Sequence, residues 1–284
     1  WAASQGSLET SFNPAEAPCR NLPLLFDFQA CDAMLTRSRF QMSEAPGWVQ
    51  ERTIVVPDGV DCDAFCPADP NDPVFQCRGL PPDAPTLSYA EERLDPERGF
   101  PDFMAAAAQL QARHKDLHVV VAGEDIPRTQ VPGEEPTSCR MTTMEQHDFD
   151  IPRLHFVGRL APERYCALLK RSTVHCHLTR ACVPAPSLLQ AMATGCTLVV
   201  TDVAPVREVL PHPASAAFVK PESPREVADA VSTLLADPGF AQEKGRNARM
   251  HTLHSYDQRS QHIATEAVLS SIADPGPDGL RFAS

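Results

Sequence analysis

Arg93 and Arg98 frame the run Arg93-Leu94-Asp95-Pro96-Glu97-Arg98, which follows an apolar stretch ending at Tyr89 and leads into a stretch of helical period. Two guanidiniums at that spacing can clamp a diphosphate through charge-assisted hydrogen bonds. Glu91, Glu92, Asp95 and Glu97 lie among them and offer a rival reading, a solvated charge balance. A second candidate starts at Thr179, where Pro184 and Pro186 hold the chain extended before a helix opens at Ser187. The first turn of a helix has no internal partners for its N–H groups, so those of Ser187, Leu188 and Leu189 form an anion site. Gln190, one turn in, projects toward the same ligand, and Gly195 closes the helix as a left-handed cap.

Two further runs carry less chemistry. Arg159-Leu160-Ala161-Pro162-Glu163-Arg164 repeats the pattern of the first run. Proline at the first helical position and glutamate in the first turn suit the start of any helix, so the repeat reads as shared strand-loop-helix chemistry and not as a duplication. His175-Cys176-His177 lies in a strand, where the two histidines share one side and the cysteine faces the other. Such a run does not gather a ligand set, and no metal is expected.

The elements that must position these residues alternate along the chain. Short β-type runs at Thr53 to Val56, Thr86 to Tyr89, His118 to Ala122, Leu154 to Val157, Val174 to Leu178 and Thr197 to Thr201 are separated by stretches of helical period. The latter are Pro101 to His114, Pro162 to Arg171 and Ser187 to Ala193. This alternation predicts an α/β fold, a Rossmann-like parallel sheet with helices on both faces, and a ligand at the carboxyl ends of the strands. A short helix near Pro205 to Val209, a strand around Ala217 to Val219 and helices over Pro224 to Ala236 and Gly239 to His254 complete it. Ile126 to Thr137, with three prolines, is expected to be a long surface loop, and Pro67 to Pro85 a linker or excursion. Before it lie one helical run, Leu24 to Met34, a short strand, Met34 to Thr36, and another helix, which together read as the tail of something.

Composition narrows the function classes. The chain has 284 residues, 43% hydrophobic and 22% charged, with a net charge of -12. That acidity opposes non-specific binding to phosphate backbones, so nucleic acid is not an expected partner. No apolar run approaches the roughly 20 residues of a membrane-spanning helix, and no transmembrane segment is expected. The 28 prolines mark segment boundaries, and the 10 cysteines, mostly in apolar segments without a CxxC, read as buried reduced thiols. No GxGxxG follows any strand, which disfavours a dinucleotide-dependent dehydrogenase. The chain begins at Trp1 with neither an initiator methionine nor a leader, as a trimmed chain would.

Taken in order, the motifs resemble a known family. Pro57-Asp58-Gly59-Val60-Asp61 with Phe65, the run from Arg93 to Gly99, Leu154 to Gly158, Ser187 to Cys196, and Thr201-Asp202 with Arg207-Glu208-Val209 occur as in GT4-type retaining glycosyltransferases, the glycosyl transferases group 1 family. The resemblance covers roughly residues 30 to 255 and implies the C-terminal half of a GT-B architecture. It implies four parts: a remnant of an acceptor domain over 1–50, an interdomain segment over 51–85, a nucleotide-sugar-binding domain over 86–255, and a C-terminal helix with a frayed tail over 256–284. It further implies a cytoplasmic enzyme of carbohydrate biosynthesis. That enzyme would transfer a hexose with retention from a nucleotide-sugar donor to a saccharide, lipid or protein acceptor. No metal or cofactor is implied beyond the donor itself.

By the same resemblance Arg93 and Arg98 hold the diphosphate and stabilise its departure. Ser187, Leu188, Leu189, Gln190, Val157 and Gly158 complete the donor site. The upstream Gly59-Val60-Asp61 favours this copy of the arginine run over the one at Arg159. The departures are specific: Arg98 stands where lysine is usual, Glu92 where glycine is usual, and Cys182 and Gln190 where the family has two glutamates. A neutral amide accepts through one oxygen only. Loss of a charge-assisted bond costs about 1–3 kcal/mol, roughly a tenfold to hundredfold weaker donor. The alternative is therefore a non-catalytic member that serves as a binding or scaffolding domain.

Overall fold

Residues 27–127, 137–180 and 186–273 are described by a computed structural model. Their β-branched and aromatic runs assemble into two separate parallel sheets. In the smaller, β1 (Met34–Thr36) pairs with β2 (Thr53–Val55), with helices α1 (Arg39–Ser43) and α2 (Gly47–Gln50) between them. The larger has six strands: β3 (Thr86–Arg93), β4 (His118–Glu124), β5 (Leu154–Gly158), β6 (Val174–His177), β7 (Leu198–Thr201) and β8 (Ala217–Val219). Their order is β5-β4-β3-β6-β7-β8, and every pairing is parallel. In β4 all but the last residue are buried, as a parallel sheet covered on both faces requires.

The helices are α3 (Phe100–Arg113), α4 (Cys139–Gln146), α5 (Pro162–Arg171), α6 (Pro186–Ala193), α7 (Ala204–Val209), α8 (Pro224–Ala236), α9 (Pro238–Ser255) and α10 (Gln258–Ala273). Alternation along the strands assigns them to faces. Leu87, Tyr89, Val119, Val121 and Cys176 pack with Phe100, Phe103 and Leu110 of α3 and Val227 and Val231 of α8. On the other face, Ala90, Val120 and Ala122 meet Leu168 of α5 and Phe75, while Leu198 and Val200 meet Leu188 and Met192 of α6. The segment from Pro67 to Pro85 is thus an excursion that covers sheet, not a free linker. Lys170 holds Asp72 at 2.8 Å, and Arg171 donates to the carbonyls of Pro81 (3.1 Å) and Ala84 (2.7 Å).

Three differences from the sequence expectation have local causes. β3 runs past Tyr89 to Arg93 because a register shift between Ala90 and Arg93 lets it continue along β4. Pro96–Arg98 is a separate 3₁₀ turn, cut from α3 by Gly99, so the two arginine runs are built differently: the second passes directly into α5. Helix α4 was not expected from the sequence, because Thr143 is its one buried residue and it carries almost no apolar stripe. Most of the stretch from Ile126 to Thr137, all of Cys182, and the final tail lie outside the described residues. No helix among the described residues is long and apolar enough to cross a membrane.

The strand order fixes where a ligand can enter. From β3 the chain winds outward through β4 to β5, then returns to β6 on β3's other side and winds on to β8. Successive connections diverge between β3 and β6, leaving a crevice at their carboxyl ends.

Candidate functional site

The turn carrying Arg98 is clamped from three sides at this crevice. The hydroxyl of Tyr89 donates to the Arg98 carbonyl at 2.9 Å, the Arg98 N–H donates to Asp95 O at 3.1 Å, and the Arg180 N–H donates to Glu97 O at 3.0 Å. Gly99 follows with φ +68°, and a Cβ there would stand 2.5 Å from Leu178 Cβ at the end of β6. Only glycine serves both the left-handed backbone and the close approach. Two atoms are left over: Arg93 Nε and Arg98 Nη1 are buried with no hydrogen-bond partner among the described residues. Arg93 Nε makes a long ion-pair contact, 3.5 Å, with Asp95.

Across the crevice, α6 begins with Pro186, so the free donors of its first turn start at Ser187. Leu188 and Leu189 bury their side chains in the core, which leaves their main-chain N–H groups as what they can offer a ligand. Ser187 Oγ is buried and unpartnered among the described residues, while Ser187 O accepts from Tyr165 OH at 3.2 Å. Gln190 is half-buried in the next turn. Ala191, Met192 and Ala193 are fully buried, and Gly195 caps the helix with φ +70°. At the end of β5, Val157 is half-buried and Gly158 is exposed with open space at its Cα.

The second arginine run has other partners. Arg159 pairs with Glu92 at 3.1 Å, which draws that carboxylate toward β5; both side chains are largely exposed, so the pair is worth under about 1 kcal/mol. Arg164 donates to Gln76 O at 3.0 Å and lies over the Phe75 ring. It is committed to the excursion.

Sequence reasoning did not reveal several residues of the crevice. His177 Nδ1 stands 3.2 Å from Glu91 Oε1 with side-chain exposures of 0% and 6%. Both atoms lack a hydrogen bond of acceptable angle among the described residues, so the contact is a close approach and not an aligned bond. The β3–β6 register, Tyr89 opposite Cys176, brings them together, and that register is invisible in one dimension. Thr179 and Arg180 follow β6 as Arg93 ends β3, a signal that the sequence did carry. Thr179 Oγ1 and Arg180 Nε are also buried and make no hydrogen bond among the described residues. Arg180 pairs with Glu222 at 3.0 Å and faces Asp102 at 3.9 Å. Burial raises the Asp102 carboxyl above its ordinary range, with Arg180 opposing.

The unpartnered cationic and hydroxyl atoms at one end of one sheet can receive an anion with several oxygens, while Glu91 and Glu92 oppose it. Among the described residues no group of three or more His, Cys, Asp or Glu could hold a metal ion.

The family described as glycosyl transferases group 1 matches residues 79–251, and the glycosyl transferase family 4 group matches residues 6–65. No curated protein is significantly similar in sequence. Sucrose-phosphate synthase from Thermosynechococcus elongatus is similar in structure at a TM-score of 0.74 and 16% identity, over 97% of this chain and 65% of that one. Anabaena Alr3699/HepE, solved in complex with UDP-glucose, is similar at 0.68 and 17% identity, over 85% and 64%. The C-terminal domain of a glycosyl transferase group 1 family protein (LpcC) from Francisella tularensis is similar at 0.58 and 21% identity, over 70% of this chain and 99% of the other. The chain therefore spans just under two thirds of the first two proteins. At these identities the likeness shows the fold, the Rossmann-like half of a GT-B architecture.

Proposed function

The chain belongs to the glycosyl transferases group 1 family, and from that premise we propose that it binds a nucleotide-sugar donor and serves in transfer of its hexose, with retention, to an acceptor. The observation that carries this reading is the set of buried donors at the switch point, Arg93 Nε, Arg98 Nη1 and Ser187 Oγ, that make no hydrogen bond among the described residues. Burying such groups without partners costs about 1–3 kcal/mol each, a cost that a diphosphate removes. As the bond between sugar and diphosphate breaks, negative charge grows on the leaving group. Arg93, Arg98 and the amides of Ser187, Leu188 and Leu189 stabilise that charge from fixed positions, and the acceptor hydroxyl enters on the face the diphosphate leaves. Val157 and Gly158 sit two strands from β3, about 10 Å away, a reach suited to the nucleoside. The Anabaena protein was solved with UDP-glucose, which supports a donor of this class.

A second reading, a non-catalytic binding domain, is favoured by Gln190 and by the buried Glu91 carboxylate beside the arginines. Calorimetry with UDP, GDP and ADP tests both. At least one should bind with a Kd between roughly 10 μM and 1 mM, typical of such substrates. No heat at millimolar nucleotide overturns donor binding. Binding with no turnover of the matching nucleotide sugar, in the presence of saccharide acceptors, supports the second reading.

A further inference from the structure

Away from the crevice, two thiols and an ammonium meet where the start of the excursion lies against α5. Lys170 Nζ donates to Cys66 Sγ at 3.5 Å and to Asp72 Oδ2 at 2.8 Å. One turn earlier on the same face of α5, Cys166 donates to Ala64 O at 3.4 Å, two residues before Cys66. The neighbouring side chains also meet: Phe65 and Tyr165 pack edge to face with ring centroids 6.4 Å apart. Two segments a hundred positions apart in sequence therefore run side by side, each bringing a free, half-buried thiol.

Each of these features bears on sulfur chemistry. The thiolate is the species that attacks a disulfide, and an ammonium beside the sulfur stabilises that charge where water reaches it poorly. The Lys170 side chain is 12% exposed and anchored by Asp72, so its charge is held in place beside Cys66. Burial raises the Cys166 thiol above its ordinary range, with Lys170 opposing and Cys66 adding to the rise. The two sulfurs thus lie within electrostatic reach, and Cys166 enters a reaction second, once a leaving group sits on its neighbour. Cys62, four residues before Cys66, is buried and bonded to Asp257 instead.

We propose that Cys66 and Cys166 form a redox-sensitive clasp, a dithiol that closes to a disulfide and ties the start of the excursion to α5. The oxidant is a low-molecular-weight disulfide such as oxidised glutathione. Cys66 gives up its proton and its thiolate attacks one sulfur of the reagent; the reagent's S–S bond breaks, and the departing thiolate takes up a proton. Cys166 then gives up its proton and attacks Cys66 Sγ, the mixed S–S bond breaks, and the second thiolate leaves and is protonated. Two protein thiols are oxidised to one disulfide, and the reagent is reduced to two thiols. A link across so long a loop restrains the unfolded chain strongly, so the oxidised protein melts at a higher temperature. The clasp is independent of the donor reading.

The test treats the folded chain with oxidised glutathione, then alkylates the remaining thiols, digests the protein and weighs the peptides. The expected product joins the Cys66 and Cys166 peptides with loss of two hydrogens, retains no glutathione, reverts with dithiothreitol and melts higher than the reduced protein. In Cys166→Ser the reaction should stop at glutathione on Cys66. Lys170→Met should slow the first step about tenfold, and Lys170→Arg should restore most of the rate. Glutathione retained on Cys66 of the unaltered protein would overturn the clasp. So would a Cys66 no faster than Cys31, a half-buried thiol bonded to Phe28 O, or a rate unchanged in a folded Lys170→Met. The unaltered protein and Cys166→Ser decide the matter even where Lys170→Met does not fold.

Discussion

Replacing Arg98 by alanine separates ligand-binding charge from fold-supporting charge. In the free protein Arg98 Nη1 is buried without a hydrogen-bond partner among the described residues, so no bond to them is lost there. The main-chain carbonyl that Tyr89 OH holds at 2.9 Å survives the substitution. Melting should stay the same or rise, by up to about 1–3 kcal/mol, because the substitution removes a buried polar group that has no partner among the described residues. Bound to a diphosphate, the guanidinium makes a hydrogen bond between charges, worth about 1.5–3 kcal/mol. Nucleotide affinity should then fall by about tenfold to 150-fold. Arg93→Ala should cost less, about 1 kcal/mol, because its Nε already faces Asp95 at 3.5 Å and its side chain is 40% exposed. Arg159→Ala is the control, since that side chain is 66% exposed and engaged with Glu92; it should change affinity less than twofold. The assay is calorimetry with whichever nucleotide binds the unaltered protein, repeated at raised salt, where the Arg98 difference should shrink. Unchanged affinity in Arg98→Ala, with loss in Arg159→Ala, would refute the assignment and move the diphosphate to the second arginine run.

Gln190→Glu should tighten the nucleotide by about 1–3 kcal/mol and slightly lower the melting temperature, as a carboxylate accepts from two hydroxyls but costs desolvation when half-buried; a lower melting point with unchanged affinity would make the side chain purely structural. Gly99→Ala combines a left-handed φ of +68° with a Cβ 2.5 Å from Leu178 Cβ, so chemical denaturation should show a loss of about 2–4 kcal/mol, and a loss below 1 kcal/mol would contradict the packing described. Burial, with His177 next, pushes His175 down to about 3, and burial also lowers His118 and His155. These native imidazoles refuse protons that the unfolded chain accepts below its ordinary value of 6.5, so their stability contribution is present above that pH and is lost as pH falls from 6.5 toward 3. Between pH 6.5 and 5 the His175 share is about 2 kcal/mol, and His175→Gln should flatten the melting curve against pH by that amount; an equal slope in both proteins would exclude His175 as a cause. The Cys196 thiol, pushed up to about 12 by burial, and Cys176, raised further, should resist alkylation in the folded protein and react on unfolding.

Much of the scaffold was legible in one dimension because its causes are local. Strand positions followed from β-branched runs, helix starts from Pro162 and Pro224, and the cap of α6 from Gly195, each set by interactions within a few residues. The candidate anion site was legible for the same reason, as turns and first helical residues announce themselves by type. What only the tertiary structure decided depends on strand order and register, which bring together residues far apart in sequence. Pairing β3 with β6 instead of β5 set the crevice between Arg98 and Ser187 and buried Glu91 against His177. Folding Phe75 onto the sheet turned an apparent linker into cover and occupied Arg164, which left the first arginine run facing the crevice. The burial of Thr179 Oγ1 was decided likewise, where the start of α3, the end of β6 and the turn after β8 converge. That oxygen has no partner among the described residues because the covalent chain dictates which atoms are near in sequence, while packing alone dictates which buried polar atoms lack a partner.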